Sequence, residues 1–271
     1  PHLYNETAPT EIYTYTESSA ASDVYKRQEG QRDSQTAWLP GTRMMDVLAN
    51  SSILGPLLLS ARLALVTTVL LLFLGTPIAW WLAQTESRFK AAAQAIVAMP
   101  IVLPPTVLGF YLLILLGPNG VIGGWWVQLT GSALTFSFAG LVIASCVYSL
   151  PFAVQPLQNA FESLPRETLD FARTQGASKI DAFFSVAVPM SLRGFVAAAV
   201  LSFAHTLGEF GVVLMVGGNI PGETRVISIA IYDSVETLNY GAAHQMSLLL
   251  LGFAFIVLLT MFVINRRWSQ R

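Results

Sequence analysis

The chain has 271 residues, 54% of them hydrophobic and only 11% charged, with a formal net charge of −1, whereas a soluble domain carries roughly 25% charged residues. No Asp, Glu, Lys or Arg occurs from Ala91 to Phe161, a run of 71 residues. A membrane crossing needs about 20 apolar residues, so this gap holds two crossings and a neutral loop, which excludes a soluble domain. The near-zero net charge leaves no field for nucleic acid.

Residues 1–43 differ from the rest. They are polar, rich in Thr, Ser, Glu and Tyr, begin at Pro1 and contain no apolar run. The run Ser19–Gln28 resembles a read-through artefact of assembled environmental sequences, and Met44 or Met45 is a natural start. Residues 1–43 are therefore expected to be a non-native or disordered extension, and 44–271 the membrane domain.

Five apolar segments follow, at about 57–82, 92–116, 134–154, 194–216 and 246–264. Each is long enough to cross a hydrocarbon core of about 30 Å as a helix, the form lipid imposes on a backbone that must satisfy its own hydrogen bonds. Lys and Arg in short loops set the orientation. The first loop holds Arg88 and Lys90 and the second holds neither residue type. The third holds Arg166, Arg173, Lys179 and Arg193, the fourth only Arg225, and the C-terminal tail Arg266, Arg267 and Arg271. Loops one and three and the C-terminus are expected inside, and the N-terminal side of the first span outside. The single cysteine, Cys146, lies in an apolar run. It has no disulfide partner and no metal-site companions, and reads as a small buried residue.

The third loop, 163–189, favours two short helices. Pro165 suits a first turn, Glu167 and Asp170 suit a helix N-terminal half, and Leu169, Ala172 and Arg173 fall at helical spacing. Gly176 permits a left-handed turn that ends the first helix. Ser178 and Asp181 have capping-box spacing for the second, and Pro189 is expected to end it before the fourth span. By spacing alone this is either an amphipathic helix on the membrane surface or a docking element.

Four stretches carry a family resemblance. The loop Leu164–Pro189, with Asp170-Phe171-Ala172, Gly176 and Val186-Ala187-Val188-Pro189, resembles the E-A-A-x3-G-x9-I-x-L-P cytoplasmic loop of ABC-importer permeases. It departs from that pattern at Asp170, in place of Glu, and at Phe171, in place of Ala. The other stretches are Leu103–Gly109 with Pro104-Pro105, Phe203–Gly211 with His205, Gly208, Glu209 and Gly211, and Gly218–Arg225 with Asn219, Pro221 and Glu223. Together they are similar to the molybdate permease subunits, a group with sulfate and tungstate relatives, over about Met45 to Trp268.

The resemblance implies an all-α integral membrane protein of about five transmembrane helices, like the permeases of type I ABC importers. It would sit in the bacterial inner membrane as a multi-pass homodimer. Leu164, Pro165, Leu169, Asp170, Phe171, Ala172, Gly176 and Pro189 would form the loop that meets a separate pair of ATPase subunits, which would bind ATP and Mg. A periplasmic protein would deliver the oxyanion. No G-x4-G-K-[ST] stretch occurs in the chain, so ATP hydrolysis is expected on the partner and no cofactor in this chain.

Within the spans, Pro104 and Pro105 remove backbone donors and kink the second helix, opening a mid-membrane cavity at a candidate gate. Glu209 is an intramembrane carboxylate and a functional candidate by default; it either lines the path or braces it by hydrogen bonds. His205, at i and i+4, either pairs with Glu209 or is a satisfied polar group, and without a third ligand there is no metal site. Gly208, Gly211 and Ala204 allow close helix approach. Arg225 either meets an oxyanion by bidentate hydrogen bonds, contacts the binding protein, or is solvated. The rival readings are a sulfate or tungstate permease, a secondary transporter coupled through Glu209 and His205, and, more distantly, a membrane-embedded enzyme.

Overall fold

The structure is a computed structural model that describes residues 51–269, and every regular element among them is helical. The expectation for residues 1–43 lies outside the described residues. Three helices match the expected first, third and fifth spans: α1 Ser51–Gln84, α5 Phe138–Glu162 and α12 Tyr240–Ser269. Each contains a stretch long and apolar enough to cross a bilayer. Helix α5 opens on Ser137, whose Oγ accepts from the Gly140 N–H, the capping expected of a serine at that position.

The second span is not a single rod. Helix α2, Lys90–Val102, and helix α3, Pro105–Leu116, meet at 109°. Leu103 between them is extended, with φ −71° and ψ 135°, because the following proline disfavours the helical region. Pro104 and Pro105 then supply no N–H to continue the ladder. The expected fourth span, 194–216, is also divided. Helix α9, Leu192–Leu207, stops at Gly208, and the short helix α10, Gly211–Gly217, starts after Glu209 and Phe210. Flanking glycines with low helix propensity favour such a break. The loops also fold: α4 Val121–Thr130 follows α3, and α11 Ile227–Glu236 precedes α12.

Helix α5 is the centre of the bundle. It packs on α1 and α9, which pack on each other, while α10 lies on α3 and α5. One core cluster joins Ala79 and Leu82 at the end of α1 to Leu157 and Phe161 at the end of α5, with Leu169, Ala187 and Ala198. Another joins Leu112 and Leu116 to Leu134, Ala144, Val212 and Val216. Loops one and three share one end of the bundle, where Lys90 Nζ meets Glu162 Oε1 at 3.0 Å. The fourth loop lies with the start of α1 at the other end, where Arg225 and Pro56 line one cavity. Cys146 is half-buried.

Candidate functional site

The third loop forms as two capped helices. Helix α6, Arg166–Thr174, follows an extended Pro165 and carries Glu167 in its first turn and Arg173 in its last. Gly176 adopts φ +90°. Its N–H donates to Arg173 O at 3.0 Å, and the Ala177 N–H donates to Ala172 O at 3.1 Å. This is a Schellman closure, which needs a left-handed residue that glycine supplies without steric cost. Helix α7, Lys179–Ala182, opens on a reciprocal box: the Asp181 N–H donates to Ser178 Oγ at 3.1 Å and the Ser178 N–H to Asp181 Oδ2 at 3.2 Å.

Pro189 is the penultimate residue of the helical run that begins at Lys179. It lies inside α8, Val188–Met190, after a π-helical turn Phe183–Ala187, and the chain turns by 70° into α9 at Ser191.

The loop residues divide by exposure. Leu169 is buried against the core cluster that contains Phe161, and Leu164 packs on the same cluster. Pro165, Asp170, Gly176 and Pro189 are exposed, Ala172 is half-buried, and Phe171 is 66% exposed. The Arg173–Asp170 pair, at 3.3 Å, is also exposed and contributes little to stability. One side of α6 is thus held by the bundle, and an apolar ring is left outside it.

The two broken spans meet. A Cβ on Gly211 would lie 2.8 Å from Pro105 Cβ, and one on Gly109 would lie 2.8 Å from Met215 Cβ, so α3 and α10 touch through their glycines. Gly208 makes no such approach; a Cβ there would meet only carbonyls of its own helix, the nearer at 3.7 Å. Glu209 is 4% exposed and its backbone carbonyl accepts from Ser228 Oγ at 2.6 Å. Neither of its carboxyl oxygens has a hydrogen-bond partner among the described residues. The Ser145 hydroxyl on α5 faces it outside hydrogen-bond geometry.

His205 does not pair with Glu209. Its Nδ1 lies 2.8 Å from Ser149 Oγ, and its ring stacks on Phe152 at 4.0 Å. The one-turn relation expected between the two residues requires continuous helix, and α9 stops at Leu207.

Beyond α10, left-handed Gly218 and Gly222 turn the fourth loop. The Arg225 Nε–H donates to Asn219 Oδ1, and a second Arg225 nitrogen lies 3.8 Å from Asp233 on α11. Asn219 Nδ2 donates to Asp233 Oδ1 at 3.1 Å. Pro221 and Glu223 are exposed. Arg225, Pro221 and Gly222 line a cavity of about 470 Å³ with Pro56, Leu59 and Arg62 of α1. Arg62, Asp233 and Ser149 did not stand out in the sequence. Arg62 carried a usable signal, a lone charge at the edge of the first apolar run. Asp233 and Ser149 carried none, because only the fold brings them to residues 14 and 56 positions away.

Residues 75–270 match the family described as binding-protein-dependent transport system inner membrane component. The molybdenum transport system permease protein ModB of Azotobacter vinelandii is 55% identical over 77% of this chain and 92% of that protein. Its Escherichia coli K12 counterpart is 34% identical over 74% and 89%. The sulfate transport system permease protein CysT of Salmonella typhimurium is 28% identical over 88% and 84%. Among solved structures, the bacterial alginate ABC transporter in complex with an alginate pentasaccharide-bound periplasmic protein matches with TM-score 0.71 at 15% identity, over 95% of this chain and 94% of that chain. The inward-facing MetNI methionine ABC transporter matches with TM-score 0.63 at 16% identity, over 84% and 99%. The helical order, the broken spans and these likenesses agree: the chain belongs to the binding-protein-dependent transport system inner membrane components, with the fold of ABC-importer permeases.

Proposed function

We propose that this chain is the membrane-spanning permease subunit of an ATP-driven importer of molybdate. The likeness to molybdenum transport permeases over nearly their whole length carries the choice of substrate. In this reading, loops one and three and the C-terminus face the cytoplasm, and the outer end holds the Arg225 loop. Two copies of the chain form the path. Helix α6 docks on a separate ATPase through Phe171, Asp170 and Ala172, while Leu169 ties that helix to the bundle. The ATPase subunits bind ATP and Mg, and their closure moves α6. The broken spans α2–α3 and α9–α10, in contact at Pro105 and Gly211, then shift together, because packed elements move as units rather than deform. A periplasmic protein presents the oxyanion at the outer end.

Cells expressing the chain with its ATPase and binding protein are expected to accumulate labelled molybdate, and accumulation is expected to stop when the ATPase is omitted. Uptake suppressed by sulfate but not by molybdate would assign the chain to the sulfate permeases instead. Uptake persisting without the ATPase would make it a secondary transporter.

A further inference from the structure

We propose that the outer cleft between α1 and the fourth loop is a binding site for a tetrahedral oxyanion, held by Arg62 and Arg225. The two guanidinium groups come from positions 62 and 225 of the chain, yet line one cavity of about 470 Å³. Arg62 has no ion-pair partner among the described residues, and its guanidinium lies over the Phe138 ring at 4.5 Å. That platform holds the planar fork and leaves its N–H edge without a carboxylate. Arg225 is held differently, by Asn219 and by Asp233 at 3.8 Å. Asn219 also donates to Asp233, which fixes that carboxylate, and at 3.8 Å it lies beyond hydrogen-bond distance of Arg225 and leaves the N–H donors on that side free.

Arg62 is exposed at this end of the bundle, so its guanidinium is open to an arriving anion. Forked N–H donors match an oxyanion's paired oxygens. Left-handed Gly222, in the wall of the same cleft, leaves the backbone there open to a close approach. The bound group is either a free oxyanion on its way in or the phosphate of an anionic lipid headgroup, and both offer the same chemistry. The identity of the free ligand rests on the import reading above; the site itself does not.

The test uses the purified full-length chain in neutral detergent, with labelled molybdate as probe, and the chain in phosphatidylglycerol nanodiscs examined by native mass spectrometry. Saturable molybdate binding is expected. It should be at least tenfold weaker in R62Q and in R225Q, weakened less in R62K, which keeps the charge but loses the fork, and reduced by salt. Phe138→Leu, which removes the platform but no charge, is expected to weaken binding severalfold. If lipid phosphate is the occupant, wild type retains phosphatidylglycerol that R62Q and R225Q lose, and molybdate binds only after delipidation. Folded R62Q and R225Q proteins that hold both probes as wild type does would overturn the site. Should wild-type cells import no molybdate while these variants still lose oxyanion or lipid, the import reading falls and the site stands. If import proceeds and the variants bind normally, the reverse holds.

Discussion

Single residues decide where this bundle is tight. At Gly211 a side chain has nowhere to go, since its Cβ would press on Pro105 at 2.8 Å. Gly211→Val is expected to destabilise by about 1–3 kcal/mol, the usual cost of overpacking, read as a lower unfolding temperature of the purified chain in detergent. Gly208, three residues earlier, has room, so Gly208→Ala should leave that temperature nearly unchanged. Glu209 is the opposite case, a buried carboxyl whose oxygens find no donor among the described residues. Burying an unpaired ionisable group is costly. Glu209→Gln keeps its shape and removes the charge, and is expected to raise or preserve the unfolding temperature. A drop of several degrees would show that the carboxyl braces the α9–α10 break. An unchanged temperature with lost uptake would place it in the transport cycle.

At the scale of elements, the third loop separates holding from docking. Helix α6 is nine residues long, too short to persist alone in water, and the buried Leu169 is its main tie to the bundle. Leu169→Ala is expected to cost about 2–5 kcal/mol of local stability, seen as faster amide exchange across α6. Phe171, 66% exposed, contributes little to the fold. Phe171→Ala should leave exchange unchanged and weaken capture of the ATPase subunit in a pull-down. If Phe171→Ala captures the ATPase as wild type does, the docking role assigned to this ring fails. The caps of this segment were legible from the sequence, because Gly176 and the Ser178–Asp181 spacing act through local backbone geometry. The π-helical turn and the angle of entry into α9 were not. The helical run ends one residue beyond Pro189, but the π-helical turn at Phe183–Ala187 and the 70° bend at Ser191 depend on packing.

For the whole molecule, five apolar runs set the number of spans, and Lys and Arg placement set which loops share an end. The structure keeps that grouping: Lys90 reaches Glu162 at one end, and Arg225 joins Arg62 at the other. Much apolar surface stays outside the single chain, notably on α12, where Leu251, Phe255 and Phe262 are more than 60% exposed. Lipid or a second copy must cover it. The reconstituted importer is expected to contain two permease chains by mass; one chain per complex would refute the homodimer.

The amino-acid order alone determined the membrane class, the three long helices, the sides the loops share and the local caps of the third loop. These follow from composition, run length and contacts between near neighbours in the chain. Only the tertiary structure decided how sharply Pro104 and Pro105 turn the second span, that the fourth span breaks before Glu209, that His205 goes to Ser149, and that Arg62 and Arg225 share a cleft. Each depends on which groups distant in sequence arrive at one place, and that is set by packing around α5 rather than by local preference.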